Sequence, residues 1–342
     1  MKAAMARKTK EEVTLRLEET ERPIPAAGEV LVKVLYAGIC GTDMHIVTGH
    51  YGKAAFPLII GHEFVGEIAE TGPCSQADFR PGEKVAVHPI RTCGRCDACL
   101  GGMENICEEL SIIGCQENGG FAEYVCVPES KVLRLPPGMD MELAGLLEPL
   151  AIAVHDVHAS GLMIGQNVLI IGGGPIGILI ALVAKNAGAS VTVSEINDFR
   201  IDFITRLGIE VVNPMKTDVS EEIRKRTNGK GMDVVFEVTG SAAGAALMTQ
   251  AAKRGGTVVS VGIPSGALPV NVSDVFMKEV RIRGVRLHNK SDFEHAIKIL
   301  ASGKLDAELR TFITKIYDLQ DVEEAMRYAI EDKEHFKVLL KM

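Results

Sequence analysis

The stretch NVLIIGGGPIG, residues 167–177, reads as a buried β-strand that runs directly into a glycine-rich turn. Gly172, Gly174 and Gly177 fit the pattern GxGxxG at the start of an apolar, helix-like run. In such a turn the first glycine allows the tight bend, the second lets the backbone approach a pyrophosphate, and the third lets the helix pack closely. The helix N-terminus also attracts phosphate. The stretch therefore predicts a dinucleotide-binding strand, turn and helix.

A carboxylate follows this turn at the position that selects the cofactor. Glu195 ends the next strand-like run, where it can bind both ribose hydroxyls and would repel a 2′-phosphate, so the sequence favours NAD over NADP. Arg200 could flank the adenine or could be a solvated helix residue, and a plain glycine turn beside a solvated acid is the alternative interpretation. The candidate cofactor-binding residues, which include several that follow later strands, are Gly172, Gly174, Pro175, Ile176, Gly177, Glu195, Arg200, Thr239, Gly240, Val261, Gly262 and Ile263.

Strand-like and helix-like runs alternate around this motif. Such alternation predicts a parallel, doubly wound sheet with helices on both faces. The predicted strands are 167–171, 190–194, 233–238, 257–261 and 280–286, and the predicted helices are 175–187, 219–227 and 241–253.

The chain before residue 140 has a different pattern, with short β-like runs broken by glycine and proline. It predicts a β-rich domain, and the apolar spacing of MELAGLLEPLAIAVHDVHASG, residues 141–161, predicts a helix that leads into the next domain. The β-like runs are 29–36, 64–69, 84–88 and 121–127, and after residue 290 helices are predicted at 291–302 and 319–331, with a last strand at 336–342.

Length and composition restrict the function classes. A chain of 342 residues exceeds the usual size of one hydrophobic core, so two domains are expected. The net charge of −8, from 37 basic and 45 acidic side chains, gives no basic field for nucleic acid or an anionic membrane and favours a small polar or neutral substrate. No apolar run reaches the roughly 18 residues of a membrane span and no signal-like core opens the chain, so a cytoplasmic protein is expected.

Four cysteines lie within CGRCDACLGGMENIC, residues 93–107. In a reducing compartment, clustered thiols indicate a metal site rather than disulfides. The ligands would be Cys93, Cys96, Cys99 and Cys107, which can close a tetrahedral zinc and leave no position for substrate, so a structural zinc is predicted. An iron–sulfur cluster is the alternative, because thiolates also hold iron. The cysteines at 74, 115 and 126 are predicted to be small buried hydrophobic residues.

Two further segments, CGTDMH at 40–45 and GHEFVG at 61–66, place metal-ligand residue types next to glycine. Cys40 and His62 could supply a thiolate and an imidazole, and a catalytic zinc needs a third protein ligand and an open position. Glu63 and Glu148 are both candidates for that ligand. Neighbouring side chains on a regular strand point to opposite faces, so His62 and Glu63 share a metal only if Gly61 lets the backbone depart from regular pleating. Taken singly, a core histidine and surface acids would also explain these residues.

In this order, with GGFAEYV at 119–125, the motifs resemble the zinc-dependent medium-chain dehydrogenase/reductase family over nearly the whole chain. The resemblance implies an α/β protein with a GroES-like, β-rich catalytic domain and a Rossmann NAD-binding domain, and an active site in the cleft. The catalytic domain would comprise residues 1–150 and 291–342, with a structural zinc lobe at about 90–110, and the Rossmann domain residues 151–290. LLEPLAIAVH at 146–155 is similar to the polyol (sorbitol) and butanediol dehydrogenase branch, whereas threonine dehydrogenases typically read DPxGNAVH there.

The resemblance also implies roles for individual residues. Cys40, His62 and a glutamate, Glu63 or Glu148, would hold the catalytic zinc, and Asp43 would orient His62. Thr42 would hydrogen-bond the substrate hydroxyl and His45 would pass its proton to solvent through the cofactor ribose. The cofactors would be NAD, one catalytic and one structural zinc.

The implied reaction is the reversible NAD-dependent oxidation of a secondary alcohol in a polyol, sugar alcohol or vicinal diol to a ketone. L-Threonine or another amino alcohol is the alternative substrate, and a non-catalytic NAD-binding sensor is the alternative function. The resemblance implies a homodimer or homotetramer, and no nucleic acid or membrane partner is expected.

Overall fold

The computed structural model describes all 342 residues and divides the chain into two compact units. The first comprises Met1–Glu148 and Asn289–Met342, and the second comprises Pro149–His288. The second unit is therefore inserted in the sequence of the first. None of the helices is both long and apolar enough to cross a membrane.

Strands and helices are numbered along the whole chain. The strands are β1 Lys2–Lys8, β2 Val13–Glu19, β3 Glu29–Ile39, β4 Leu58–Ile59, β5 Glu63–Thr71, β6 Lys84–Val87, β7 Ile90–Arg91, β8 Ser111–Ile112, β9 Tyr124–Pro128, β10 Val132–Arg134, β11 Asn167–Ile171, β12 Ser190–Ser194, β13 Glu210–Val212, β14 Met232–Glu237, β15 Ala252–Ser260, β16 Arg281–Gly284, β17 Ile313–Asp318 and β18 Lys337–Lys341. The helices are α1 Gly41–Val47, α2 Asp97–Leu100, α3 Met141–Ala144, α4 Leu147–Ser160, α5 Pro175–Asn186, α6 Asp198–Arg206, α7 Val219–Arg226, α8 Ala242–Ala251, α9 Val272–Lys278, α10 Lys290–Ala301, α11 Asp306–Phe312 and α12 Val322–Glu331.

The first unit is built on a seven-stranded sheet. Its strand order is β10-β6-β5-β3-β18-β17, and β9 also pairs with β3. The central strand β3 is buried along most of its length because apolar residues occupy both of its faces. Strand β18, from the end of the chain, pairs antiparallel with β3, so the C-terminal segment completes a sheet that the N-terminal segment begins. The smaller sheets are β2-β1-β4 and β7-β8.

The second unit contains a six-stranded parallel sheet of order β13-β12-β11-β14-β15-β16. This is the doubly wound order 3-2-1-4-5-6, in which ligands bind at the carboxyl ends of the strands. Strand β11 is continuously apolar and buried from Val168 to Ile171, as expected for a strand covered by helices on both faces. The predicted combination of a GroES-like and a Rossmann fold is confirmed.

The structure corrects several sequence expectations. The predicted strand 121–127 begins only at Tyr124, and the predicted helix over 141–161 is interrupted at Gly145 and Leu146. Cys74 was expected to be buried but is exposed, because it lies in a turn with a left-handed backbone (φ +58°). Cys126 is only half-buried, whereas Cys115 is buried as expected.

Candidate active site and metal centres

The four-cysteine loop of the first unit brings its sulfurs together although it contains little regular structure. The four Sγ atoms lie within 4.8 Å of one another, and those of Cys93 and Cys107 are 3.6 Å apart. Zinc–sulfur bonds of about 2.3 Å in a tetrahedron place sulfurs about 3.8 Å apart, so this loop fits a closed four-thiolate zinc. Gly94 and Gly102 adopt left-handed φ values of +68° and +74° and so permit the tight loop.

Backbone N–H groups surround the sulfurs of this loop. The amides of Arg95 and Cys96 donate to Cys93 Sγ at 3.5 and 3.4 Å, and the Cys93 amide donates to Cys107 Sγ at 3.3 Å. Amide donors at Glu108 and Cys99 lower the pKa of Cys96 to about 6. Desolvation and the neighbouring thiols raise the pKa of Cys99 to about 12. The Cys96 thiolate therefore forms readily, whereas ionisation of Cys99 needs a bound cation to stabilise it.

A second cluster forms around Cys40, His62 and Glu63, whose ligand atoms also lie within 4.8 Å of one another. Cys40 is the N-cap of α1, and its amide donates to Asp43 Oδ2 at 2.9 Å, which fixes the start of the helix. His62 directly precedes β5 and Glu63 is its first residue. Gly61 has φ +96°, so the backbone departs from regular pleating there, and both side chains face the cluster.

Asp43 lies beside His62 in the interior. Its Oδ1 is 3.6 Å from His62 Nδ1, and this oxygen is buried without a hydrogen-bond partner. Cys115 Sγ lies 3.8 Å from the same nitrogen. Burial opposes protonation of His62, but the negative charges of Asp43 and Cys40 prevail and raise the pKa of the imidazole well above its ordinary value. A metal ion at this position would replace that proton as the compensating charge, so the donor set fits a divalent metal.

Two more ionisable side chains border this cluster. Lys337 Nζ forms an ion pair with Glu63 Oε2, and both side chains are buried. Burial raises the pKa of Glu63. Burial alone would lower the pKa of Lys337, but the Glu63 carboxylate outweighs this effect and the pKa of Lys337 is raised. Glu148, in the first turn of α4, is also buried and interacts electrostatically with both residues. The structure therefore brings Glu63 together with Cys40 and His62 and places Glu148 nearby.

Thr42 and His45 lie on the short helix α1. Thr42 is half-buried and His45 is exposed, so the helix leads from the cluster towards solvent. The His45 ring packs edge-on against that of His50 at 6.4 Å.

In the glycine turn of the second unit, Gly172 and Gly177 have no room for a side chain. Gly172 has φ +104°, and a Cβ on Gly177 would overlap the Gly172 carbonyl oxygen. Gly174 is the N-cap of α5, with Pro175 and Ile176 in its first turn. The N-terminus of α5 thus presents backbone N–H groups at the carboxyl edge of the sheet, which suits a pyrophosphate.

Glu195 follows β12 and is fixed by backbone donors. Its Oε2 accepts from Gly173 N at 2.8 Å, and its Oε1 accepts from Ile196 N and Asn197 N at 2.7 and 2.9 Å. Arg200 Nη1 is 3.7 Å from the same carboxylate. This rigid carboxylate beside the glycine turn fits a ribose diol.

The loops after β14 and β15 are tied together by Glu237. Its backbone oxygen accepts from the amides of Val261 and Gly262 at 2.8 and 2.9 Å, and its side chain accepts from Thr239 N and Gly240 N at 2.9 and 3.1 Å. Ile263 follows and is exposed. The sequence interpretation did not predict that Glu237 holds these two loops together. The available signal was an acidic residue at the end of an apolar strand.

Comparison with known proteins adds to this geometry. Residues 26–137 match the alcohol dehydrogenase GroES-like domain, and residues 175–302 match the zinc-binding dehydrogenase domain. A 2-dehydro-3-deoxy-L-galactonate 5-dehydrogenase of Pseudoalteromonas atlantica is 42% identical, with 93% of this chain and 92% of the relative covered. The chain belongs to the zinc-binding alcohol dehydrogenase family. It is an NAD-dependent oxidoreductase that acts on CH–OH groups, with zinc as its metal.

Other relatives differ in the substrate that their names give. A sorbitol dehydrogenase of Bacillus subtilis is 33% identical (99% and 97% covered), and an L-threonine 3-dehydrogenase of Rhizobium etli is 34% identical (94% and 94%). Among solved structures, 2R,3R-butanediol dehydrogenase from Bacillus subtilis matches with a TM-score of 0.91 at 32% identity (100% and 99%). A zinc-binding dehydrogenase from Sinorhizobium meliloti, bound to NADP, matches with a TM-score of 0.91 at 31% identity (100% and 99%).

Proposed function

We propose that this dehydrogenase oxidises a secondary hydroxyl of a polyol or sugar-derived alcohol to a ketone, with a sugar acid as the first candidate. The observation that carries the chemistry is the buried cluster of a thiol, an imidazole and a carboxylate within 4.8 Å. The 42% identity to a sugar-acid 5-dehydrogenase, and 36% to an L-galactonate-5-dehydrogenase of Escherichia coli, support the substrate class.

Each residue of the cluster has a proposed task. Cys40, His62 and one of Glu63 and Glu148 would hold the catalytic zinc, and Asp43 would keep the His62 ring oriented through Nδ1. Bound zinc supplies Lewis-acid polarisation that lowers the pKa of the substrate hydroxyl.

The substrate proton then needs a route out of the site. Thr42 would accept the hydrogen bond of the substrate hydroxyl, and exposed His45 would exchange the proton with solvent. The cysteine loop would hold the structural zinc and take no part in the reaction.

We propose that Glu195 is the residue that makes the enzyme prefer NAD over NADP. Glu195 is buried and held by three backbone amides, so it cannot swing away from an added 2′-phosphate. A related structure holds NADP, so the two cofactors are to be compared directly. We expect kcat/KM with NAD to exceed kcat/KM with NADP by at least about tenfold. In Glu195→Ala the ratio of these two values should be smaller.

L-Threonine is the second candidate substrate. Several L-threonine 3-dehydrogenases are related to the chain at 31% to 34% identity, which supports L-threonine as a candidate. The chain, however, reads LLEPLAIAVH at 146–155, which differs from the DPxGNAVH form typical of threonine dehydrogenases.

A substrate panel tests the proposal. The zinc-loaded protein would be assayed by NADH absorbance with L-galactonate, sorbitol, 2,3-butanediol and L-threonine under matched conditions. We expect the highest kcat/KM with a sugar acid or polyol. A higher kcat/KM with L-threonine would establish the alternative, and no turnover with any polyol, diol or amino alcohol would overturn the assignment.

We also propose a homodimer or homotetramer in the cytoplasm. Strand β16 is the exposed edge of the parallel sheet, and unpaired strand edges readily pair with a second copy. Ile282→Pro, which removes an edge N–H, should lower the mass measured by light scattering if this edge forms the interface. The eight free cysteines suit a reducing compartment.

A further inference from the structure

A buried lysine from the end of the chain lies beside the catalytic metal cluster, and the proposed mechanism does not use it. Lys337 is the first residue of β18, and its side chain is 6% exposed. Lysine is almost never buried unless it is paired. Its partner is Glu63, whose side chain is 1% exposed and which is also one of the candidate metal ligands.

The sheet provides the space for this ion pair. Gly38 of β3 pairs with Glu63 of β5 on one side and with Leu339 of β18 on the other. A Cβ on Gly38 would overlap Glu63 Oε2 and would lie 2.7 Å from Lys337 Cε and 3.2 Å from Lys337 Nζ. The ammonium and the carboxylate therefore meet across the face of a glycine that has no side chain to separate them.

Stability does not explain the pair. Replacing a buried ion pair by well-packed apolar residues is often neutral or stabilising, so this pair is weak support for a purely structural role. The positive charge of Lys337 is instead explained by the charge balance around a bound divalent metal. Cys40 and a single glutamate already neutralise a divalent ion, and two further buried carboxylates, Glu148 and Asp43, lie nearby. The Lys337 ammonium, ion-paired with Glu63, offsets part of this excess negative charge.

We propose that Lys337 is a positioning residue that restrains Glu63, so that Glu63 is a weak and exchangeable ligand and the metal keeps an open coordination position. One oxygen of Glu63 is bound by the ammonium, and a carboxylate shared in this way competes less well for the metal. The inference deepens the proposed function and rests on the proposed catalytic zinc site. It needs no assumption about the substrate.

The test is Lys337→Met, which keeps the length of the side chain and removes its charge. The variant removes a positive charge beside the metal ion and frees Glu63 to bind it. Both changes should tighten metal binding at this cluster, with a Kd lower by about tenfold or more. Turnover should fall by at least about tenfold, because Glu63 then occupies the open position. Lys341→Met, at the exposed other end of the same strand, is the matched control and should change neither quantity.

Metal binding would be measured by competition with a chromogenic chelator. The Cys40→Ser variant lacks a ligand of the second cluster, so it gives the metal binding of the cysteine loop alone. Cobalt(II) substitution gives a second readout, since a change of coordination shifts the d–d bands and a packing defect does not. Lys337→Arg should keep Kd within about twofold of the parent. A folded Lys337→Met protein with unchanged or weaker metal binding and an unchanged cobalt spectrum would overturn the proposal.

If Lys337→Met does not fold, a double variant tests the same inference without leaving a lone buried charge. In a Glu63→Gln background, adding Lys337→Met should leave the cobalt spectrum unchanged, because the carboxylate through which Lys337 acts is absent. The proposal is contradicted if adding Lys337→Met to Glu63→Gln shifts the cobalt spectrum. Such a shift would show that Lys337 acts on the metal independently of the Glu63 carboxylate. The chelator competition and the cobalt spectra are measured without substrate, so a wrong substrate assignment would affect only the turnover readout.

Discussion

The two metal-ligand clusters of the first unit are built in opposite ways. The cysteine loop takes all its ligands from fifteen consecutive residues, and backbone amides donate to its sulfurs. The second cluster takes Cys40 from one segment and His62 and Glu63 from another, and the buried charged side chains of Asp43 and Lys337 surround it.

This difference matches the two tasks that we propose for the clusters. A closed four-thiolate site needs sulfurs and a tight loop, and amide donors suffice to stabilise the thiolates. A site that binds substrate has to keep a position open, so its ligands must be held by other side chains rather than by the metal alone. We therefore expect changes near the second cluster to affect activity, and changes in the loop to affect stability.

The largest effect on activity is expected from His62→Ala. Removing a ligand should abolish zinc binding at the second cluster and lower kcat/KM by at least about 10³-fold, because Lewis-acid catalysis contributes several kcal/mol. Zinc analysis should show a loss of about one metal per chain while the loop keeps its own. Exposed His295, on α10 of the same unit, gives the control variant His295→Ala. Retained zinc with activity within tenfold of the parent would contradict the proposed site.

Cys96→Ser should have the converse effect. Loss of the structural zinc removes binding energy that is also folding energy, so the free energy of unfolding should fall by several kcal/mol. Turnover per folded molecule should stay near that of the parent. Thermal melts followed by circular dichroism, with zinc analysis, provide the measurement, and exposed Cys74→Ser is the control. An unchanged melting temperature after the zinc has been lost would mean that the loop is held by other contacts.

The same contrast explains how much the sequence could predict. The cysteine loop and the glycine turn are contiguous, so spacing alone indicated their ligands and contacts. Strands 167–171 and 190–194 were predicted with the bounds that the structure gives. The first is an apolar run that ends at Gly172, and the second alternates two valines with serine and threonine. For the second cluster, spacing indicated residue types, and the resemblance to a known family was needed to bring Cys40 and His62 together.

Lys337 shows what sequence patterns could not supply. In FKVLLKM it reads as a polar residue at the end of an apolar strand, and 273 positions separate it from Glu63 along the chain. Only the pairing of β18 with β3, and of β3 with β5, places the two side chains together. Strands β1 and β2 were also missed. In VTLRLEE the apolar residues Val13, Leu15 and Leu17 alternate with polar ones, so a strand signal was present, whereas KAAMARK has no such alternation.

Asp43→Asn should have an intermediate effect. Asparagine could still accept the Cys40 amide through its carbonyl oxygen, which would then direct its NH₂ group towards His62 Nδ1. Two donors would then face each other and disfavour the tautomer that binds metal through Nε2. Zinc affinity or kcat should fall by about 10- to 100-fold, measured by chelator competition and NADH formation. Asp78→Asn, at an exposed position, should leave both values unchanged.

The smallest effect is expected from Arg95→Ala, beside the cysteine loop. The guanidinium binds Glu109 at 2.8 and 3.1 Å, but the two side chains are 76% and 60% exposed, so solvent screens the pair. The part of Arg95 that contacts Cys93 Sγ is its backbone amide, which alanine retains. Melting temperature and the rate of zinc release to a chelator should therefore stay close to those of the parent. Markedly faster zinc release would mean that the loop, like the second cluster, depends on a charged side chain, and the contrast between the two sites would fail.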